Sequence, residues 1–150
     1  MDIEKATVAV EGQRWEKELP ELGDLEVLVS PWENKAFERV LQKQIGQLPP
    51  GLRPDGKVDP SAYYRCVGIA IARTIIFDWR NFKLGGADKP FDAKYAESLL
   101  INPEYRPFRD GVAAASRRVQ QNLKLEEEEL VGKLPTSSPG SETGDAALTK

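Results

Sequence analysis

"DPSAYYRCVGIAIARTIIFDWRNF", residues 59–82, is the stretch that decides the fold. Asp59 followed by Pro60 is typical of a helix start, because the carboxylate can accept from free backbone N–H groups and proline suits the first helical position. The run predicts one helix of about 22 residues, roughly 33 Å long. Apolar side chains lie around most of it, as in a central, buried helix. Three arginines mark its narrow solvent-facing edge: Arg65, Arg73 and Arg80.

A first helix is predicted in "SPWENKAFERVLQKQIGQL", residues 30–48. We expect Ser30 to be its N-cap and Pro31 its first helical residue, while Glu33 would complete a capping box. The predicted buried face consists of Phe37, Val40, Leu41, Ile45 and Leu48. Three prolines and two glycines between residues 48 and 58 end this helix and predict a loop.

Short strands are predicted ahead of that helix. "TVAV", residues 7–10, and "LEVLV", residues 25–29, are rich in β-branched and aliphatic residues, and turn-forming residues separate them. We expect a small hairpin or meander in which Trp15 covers one face. The segment 1–30 is therefore predicted to be β-rich.

The stretch after the central helix begins with a turn. "KLGGADKP", residues 83–90, predicts a turn or flexible loop, because its paired glycines favour tight backbone conformations. Asp92 is then expected to cap a short third helix that runs through Ile101. The side chains that this helix would bury are Ala96, Leu99 and Leu100.

A fourth helix is predicted from "NPEYRPFRDGV", residues 102–112. Proline lacks an N–H and crowds the carbonyl four residues back, so Pro107 does not suit the second turn of a continuous helix. We therefore expect a single turn at residues 103–106 and a new helix that begins at Pro107. Its predicted buried stripe consists of Phe108, Val112, Ala115, Val119 and Leu123.

Together these patterns predict a fold that is mainly α with a small N-terminal β-hairpin or meander, in the α+β class. About four helices are expected, arranged around the central buried helix. Residues 1–133 are predicted to form a single globular domain, β-rich over 1–30 and helical over 31–133. Residues 134–150, which are rich in Ser, Thr, Gly and Pro, are predicted to be a disordered tail.

The composition restricts the function and the compartment. The formal net charge of −3 argues against sequence-independent capture of nucleic acid. The single cysteine cannot form an internal disulfide. The longest apolar run, residues 66–77, is interrupted by Arg73 and is shorter than the roughly 20 residues of a membrane span. We expect a cytosolic protein with no nucleic-acid or membrane partner.

The chain contains no histidine. Enzymes most often use histidine as general base, and it is also the commonest metal ligand. Zinc sites need clustered Cys or His, which one cysteine cannot supply. No carboxylate pair stands out from the solvated background either. We therefore expect a protein that is not an enzyme and has no catalytic residues, no metal and no cofactor.

One helical segment is distinctly basic. Residues 102–125 carry five basic side chains against Glu104 and Asp110, so 5 − 2 gives a net charge of +3. On a helical wheel most of the basic side chains fall opposite the buried stripe. Two interpretations remain open: a solvated helix face with local ion pairs, or a docking face for an acidic partner. The candidate partner-binding residues are Arg106, Arg109, Arg117, Arg118 and Lys124. The exposed edge of the N-terminal strands is a second candidate surface, where a partner would pair with the edge strand.

The order of features between Trp15 and Lys133 resembles the tail assembly chaperones of long-tailed bacteriophages. The matching stretches are "LEVLVSPWENKAFERVL", residues 25–41, and "ARTIIFDWRNFKLGGADKPFDAKYAESLLINPEYRPFRDGVAAAS", residues 72–116. In that family a central helix ends in a tryptophan-containing turn. A glycine-bearing loop, a Pro-Phe/Tyr helix start, a Leu-Leu pair and a "P-x-x-R-x-F-R-D" helix start follow. The chain departs from the pattern at Pro107 and in its long 48–60 loop.

This resemblance implies a non-enzymatic chaperone that binds the tape measure protein and helps recruit the major tail protein. Such a protein works in the cytoplasm of the infected bacterial host and is absent from the mature virion. The family is often made in two forms by a −1 ribosomal frameshift, for which Gly132 and Lys133 are the expected position here. The alternative is a structural subunit of the particle, such as a head–tail connector or minor tail protein. Self-association is left open.

Overall fold

The computed structural model describes residues 11–133. The described residues divide into two compact units, 11–120 and 121–133, which are described separately. The unit that ends at residue 120 contains all of the strands described below, three complete helices and the start of a fourth. The second is described over residues 121–133, which are helical. The strand predicted at residues 7–10 and the tail predicted at 134–150 lie outside the described residues.

The described elements confirm the predicted α+β class, with four helices and a small antiparallel sheet near the N-terminus. In chain order they are β1 (Arg14–Glu16), β2 (Glu26–Val29), α1 (Lys35–Gly46), α2 (Pro60–Thr74), β3 (Ile76–Arg80), β4 (Lys83–Leu84), β5 (Ala87–Asp88), α3 (Ala93–Leu100) and α4 (Arg106–Lys133). Short 3₁₀ turns occupy Pro50–Leu52, Pro54–Gly56 and Pro103–Tyr105. None of the helices formed by residues 11–133 has the length and apolarity that a membrane span requires.

The main sheet has the order β1–β2–β3, and both pairings are antiparallel. β2 confirms the strand predicted in "LEVLV". β2 pairs with β1 on one side and β3 on the other, and its Val27 and Val29 are fully buried on one face. Trp15 lies within β1 itself, opposite Leu28, and the Arg80 guanidinium of β3 lies 3.7 Å from its ring centroid.

Helix α2 ends at Thr74, so the prediction of one helix as far as Phe82 is wrong. The chain turns at Ile75 and continues as strand β3, which pairs with β2. Ile75, Ile76 and Phe77 are residue types that also favour strands. In addition, the Ile75 carbonyl accepts a hydrogen bond from the Ser30 N–H at 2.9 Å. Arg80 therefore lies on a strand and not on the solvent edge of the helix.

The part of α2 that does form is buried, as predicted for a central helix. Its buried residues are Ala62, Cys66, Gly68, Ile69, Ala70, Ile71, Ala72 and Thr74. Asp59 is its N-cap and accepts from the Ala62 N–H at 3.0 Å, with Pro60 at the first position. Gly68 allows close packing on α3, because a Cβ atom there would lie 2.5 Å from the Leu100 carbonyl oxygen.

The predicted start of the first helix is also wrong. Its N-cap is Asn34, whose side chain accepts from the Phe37 N–H at 2.6 Å, and Glu33 precedes the helix. Ser30 is instead fully buried: its hydroxyl donates to the Thr74 carbonyl at 2.6 Å, and its own carbonyl accepts from Ser116 at 2.7 Å. Ser30 thus joins the end of β2 to α2 and α4. Because its hydroxyl is used there, it is not available as a cap.

The segment predicted as a turn at 83–90 is a tight hairpin of β4 and β5. Gly85 and Gly86 occupy its two turn positions with φ values of +61° and +84°, which glycine adopts without strain. The predicted cap of the third helix is confirmed, because Asp92 accepts from the Lys94 and Tyr95 N–H groups. A 3₁₀ turn then precedes α4, which confirms the predicted break before Pro107 within one residue.

Candidate partner-binding surface

The five basic residues predicted to bind a partner have different surroundings in the structure. Phe108, Val112, Ala115 and Val119 are buried, as predicted for α4, and orient the helix in the first unit. Arg106, Arg109, Arg117 and Arg118 all belong to that unit. Lys124 is exposed in the second unit. Gly132 and Lys133, the predicted frameshift position, form the end of α4.

Arg109 is engaged within the fold. Its Nη1 atom donates to the Tyr64 carbonyl at 2.6 Å and to the Leu100 carbonyl at 3.2 Å, and its guanidinium lies 3.6 Å from the Tyr64 ring centroid. Burial lowers the pKa of this guanidinium, while Tyr64 and Asp110 act in the opposite direction. Arg109 therefore links α4 to α2 and to the end of α3.

Arg118 is also engaged within the fold. Its Nε atom lies 2.8 Å from the Glu16 carboxylate, and its Nη2 atom donates to the Lys17 carbonyl at 3.1 Å. Both partners come from β1 or the residue after it. The contact joins α4 to the edge of the sheet, so the Arg118 charge is already compensated locally.

Arg106 and Arg117 are exposed, and each lies over an aromatic ring. The Arg106 guanidinium lies 5.1 Å from the centroid of Tyr64, and that of Arg117 lies 4.7 Å from Trp32. Such cation–π contacts orient a guanidinium and leave its N–H groups available to a carboxylate. Of the four arginines predicted to bind a partner, these two are the most accessible.

A depression of about 600 Å³ opens beside Trp32, where the chain leaves β2 and enters α1. Its lining residues are Trp32, Glu33, Asn34, Lys35, Phe37 and Glu38. The Trp32 and Phe37 rings pack with their centroids 5.0 Å apart and form an aromatic floor. The Glu33 N–H donates to the Gln120 side chain at 3.1 Å, which ties this segment to α4. An apolar side chain fits the floor, and charged groups surround it.

Trp32 was not among the predicted site residues. The prediction placed it inside a helix that began at Pro31, where a tryptophan is an ordinary packing residue. The signal that was available is Asn34, a better N-cap candidate just before "KAF". A helix that starts there leaves Trp32 on the connecting segment, where aromatic side chains more often contact partners.

Within residues 11–133, no group of three or more His, Cys, Asp or Glu side chains is arranged to hold a metal ion. Cys66 is only 2% exposed. Burial raises the pKa of its thiol above the ordinary 9.0, and the Arg65 charge acts in the opposite direction. This cysteine is therefore a packing residue.

Comparisons with protein-family models, with curated proteins and with solved structures found no match to this chain.

Proposed function

We propose that this chain is a non-enzymatic tail assembly chaperone of a long-tailed bacteriophage. In this proposal it binds the tape measure protein in the host cytoplasm, helps recruit the major tail protein and leaves the finished tail. The observation that carries the proposal is the aromatic-floored depression at Trp32, with the Arg117 guanidinium 4.7 Å from the ring. We interpret the depression as a binding site for the tape measure protein because the order of motifs from Trp15 to Lys133 resembles that of tail assembly chaperones.

A chaperone for a long helical protein needs surfaces that hold helices transiently. A helix docks by placing apolar side chains in a groove, and charged groups around the groove set its orientation and speed the encounter. The Trp32 and Phe37 rings supply an apolar floor. Charges of both signs surround it, from Lys35 and Arg117 and from Glu33 and Glu38. An apolar floor with charged groups beside it can bind a partner protein without any further group. Catalysis would need a polarised or metal-bound group in addition.

Co-expression with the tape measure protein from the same phage tests the proposal. The tape measure protein alone is expected to aggregate, because its long helices expose apolar faces. With this chain present it should stay soluble and co-purify in a stoichiometric complex. A tape measure protein that is equally insoluble with and without the chain would contradict the proposal.

Two further measurements separate the chaperone from a structural subunit. Mass spectrometry of purified virions should detect the tape measure protein and not this chain, because the chaperone leaves the finished tail. The coding DNA around Gly132 and Lys133 should contain a slippery heptamer with an open overlapping −1 frame. Detection of this chain in virions at subunit stoichiometry would favour a connector or minor tail protein.

A further inference from the structure

Arg106 and Arg117 are separated by eleven residues on α4. At 3.6 residues per turn, eleven residues rotate the helix by about three turns plus 20° and advance it by about 16 Å. The two side chains therefore leave α4 on nearly the same side. Ala113 and Asp110 lie on that side between them: Ala113 is 7% exposed, whereas the Asp110 carboxylate is exposed one helical turn after Arg106.

Each of the two guanidinium groups lies over an aromatic ring that belongs to another element of the fold. Tyr64 belongs to α2, and Trp32 lies on the segment before α1. Tyr64 is itself held by Arg109, which lies 3.6 Å from its ring centroid and hydrogen-bonds to its carbonyl. A guanidinium supported by a ring loses less conformational freedom when it binds a carboxylate than one on a free side chain does. Each guanidinium is thus oriented by a ring before a partner binds.

We propose that Arg106 and Arg117 form a two-point recognition site for a helix of the partner protein that carries carboxylates eleven residues apart. Carboxylates eleven residues apart on a helix have the same angular offset and the same rise of roughly 16 Å as the two arginines. When such a helix lies along α4, each carboxylate can therefore face one arginine. An apolar side chain next to the carboxylate at Arg117 can enter the depression beside Trp32. The inference rests on the proposed function and specifies the kind of tape measure segment that would dock.

The surroundings favour a helix over other acidic partners. An extended peptide gains most of its affinity from main-chain bonds at a sheet edge, and this surface is made of helix side chains. A polyanion such as nucleic acid would also meet the carboxylates of Glu33, Glu38 and Asp110, which are exposed. A helix with isolated acidic residues avoids that repulsion and can place lysines opposite these carboxylates.

Fluorescence anisotropy with designed peptides tests the site. The probe is an alanine-rich, fluorescein-labelled helical peptide with two glutamates eleven residues apart and a leucine one turn from the second. A control peptide of the same composition places its glutamates five residues apart, on opposite faces. The full-length chain should bind the first peptide several-fold more tightly. Equal affinity for the two peptides would overturn the inference.

Single substitutions then test the pairing. Arg106→Ala and Arg117→Ala should each weaken binding by about fivefold, the range of an exposed ion pair. Arg39→Ala, which removes an exposed arginine of α1, should change it little. A peptide that lacks the glutamate facing Arg117 should bind the Arg117→Ala variant no more weakly than the full peptide does. The same peptide should bind the Arg106→Ala variant more weakly, by the full amount that this glutamate contributes. Losses that simply add in every combination would overturn the inference.

This result can be distinguished from failure of the proposed function. If the peptides do not bind but the tape measure protein still co-purifies, the chaperone proposal stands and the two-arginine site is wrong. If neither binds, both are wrong. Circular dichroism of each variant confirms that a lost affinity is not a lost fold.

Discussion

At the residue scale, Arg109 and Arg117 show that one residue type on one helix can have opposite roles. Arg109 is half-buried, donates to two carbonyls and covers Tyr64. Arg117 is exposed and contacts Trp32 through its flat guanidinium. The sequence placed both on a single basic face. The difference depends on which residues surround each one, and those come from distant parts of the chain.

Replacing Arg109 by alanine should therefore destabilise the fold. The substitution leaves the Tyr64 and Leu100 carbonyls without this donor and removes the stacked guanidinium, so we expect a loss of about 1–3 kcal/mol in the free energy of unfolding. Urea denaturation followed by circular dichroism measures it. Arg117→Ala is the matched control and should stay within about 0.5 kcal/mol of wild type. Equal stability of the two variants would contradict these roles.

Gly68 should tolerate no larger side chain. A Cβ atom would lie 2.5 Å from the Leu100 carbonyl oxygen and 2.9 Å from its carbonyl carbon, and backbone cannot move aside as a side-chain tip can. Gly68→Ala should lower the unfolding free energy by about 1–3 kcal/mol. In Gly46→Ala, where nothing lies within 4 Å, stability should be unchanged or raised by about 0.5 kcal/mol. A thermal melt that ranks the two variants in the opposite order would refute the close α2–α3 packing.

The Cys66 thiol should make stability depend on alkaline pH. Because burial raises its pKa in the folded state, the unfolded chain ionises first as the pH rises past the ordinary 9.0. Its contribution is complete below that value and is lost as the pH rises through the folded-state pKa. Between pH 8 and pH 10.5, wild type should lose more unfolding free energy than Cys66→Ala. Parallel pH profiles for the two proteins would contradict this assignment.

At the element scale, helix existence was predictable, and two helix boundaries were not. Asp59 and Asp92 act as caps where the local sequence indicated, because capping depends on residues a few positions apart. The end of α2 depends on β2, which offers backbone partners to residues 76–80. That pairing is a tertiary contact. Ile76 and Phe77 are residue types that suit a strand, but they form one only when β2 is in place to pair with it.

The start of α1 gives a test at the same scale. Asn34→Ala removes the side-chain acceptor for the Phe37 N–H and should lower the unfolding free energy by about 1 kcal/mol. Glu33→Ala should have an effect within about 0.5 kcal/mol, because Glu33 precedes the helix and completes no capping box. Chemical denaturation of both variants measures the difference. A larger loss at Glu33 would restore the start predicted at Ser30.

The candidate surface was predictable only in part at this scale. The basic character of α4 was evident from composition, and Arg106 and Arg117 were both among the predicted residues. The aromatic rings beneath them were not, because Tyr64 and Trp32 lie far from α4 in the sequence. Hydrophobic periodicity locates the buried face of a helix, but it does not identify the residues that pack beside its exposed face.

At the scale of the whole molecule, the proposed binding function assigns different tasks to the arginines of α4. Arg109 and Arg118 use their charges to join α4 to α2, α3 and β1, which makes the first unit a defined scaffold. Arg106, Arg117 and Trp32 are then left at the surface of that scaffold. Interfaces of this kind often concentrate their binding energy in a few arginine and tryptophan residues. Substitutions are therefore expected to affect binding and stability separately.

The most direct test is the affinity of the tape measure protein for four forms of this chain. Biolayer interferometry should show that Arg117→Glu and Trp32→Ala each weaken binding by about tenfold or more, as expected for interface residues of these types. Arg39→Glu, with the same charge change on α1, should bind as wild type does, and all four proteins should give the same circular dichroism spectrum. Wild-type affinity in both Arg117→Glu and Trp32→Ala would contradict the central claim that the partner docks on this surface.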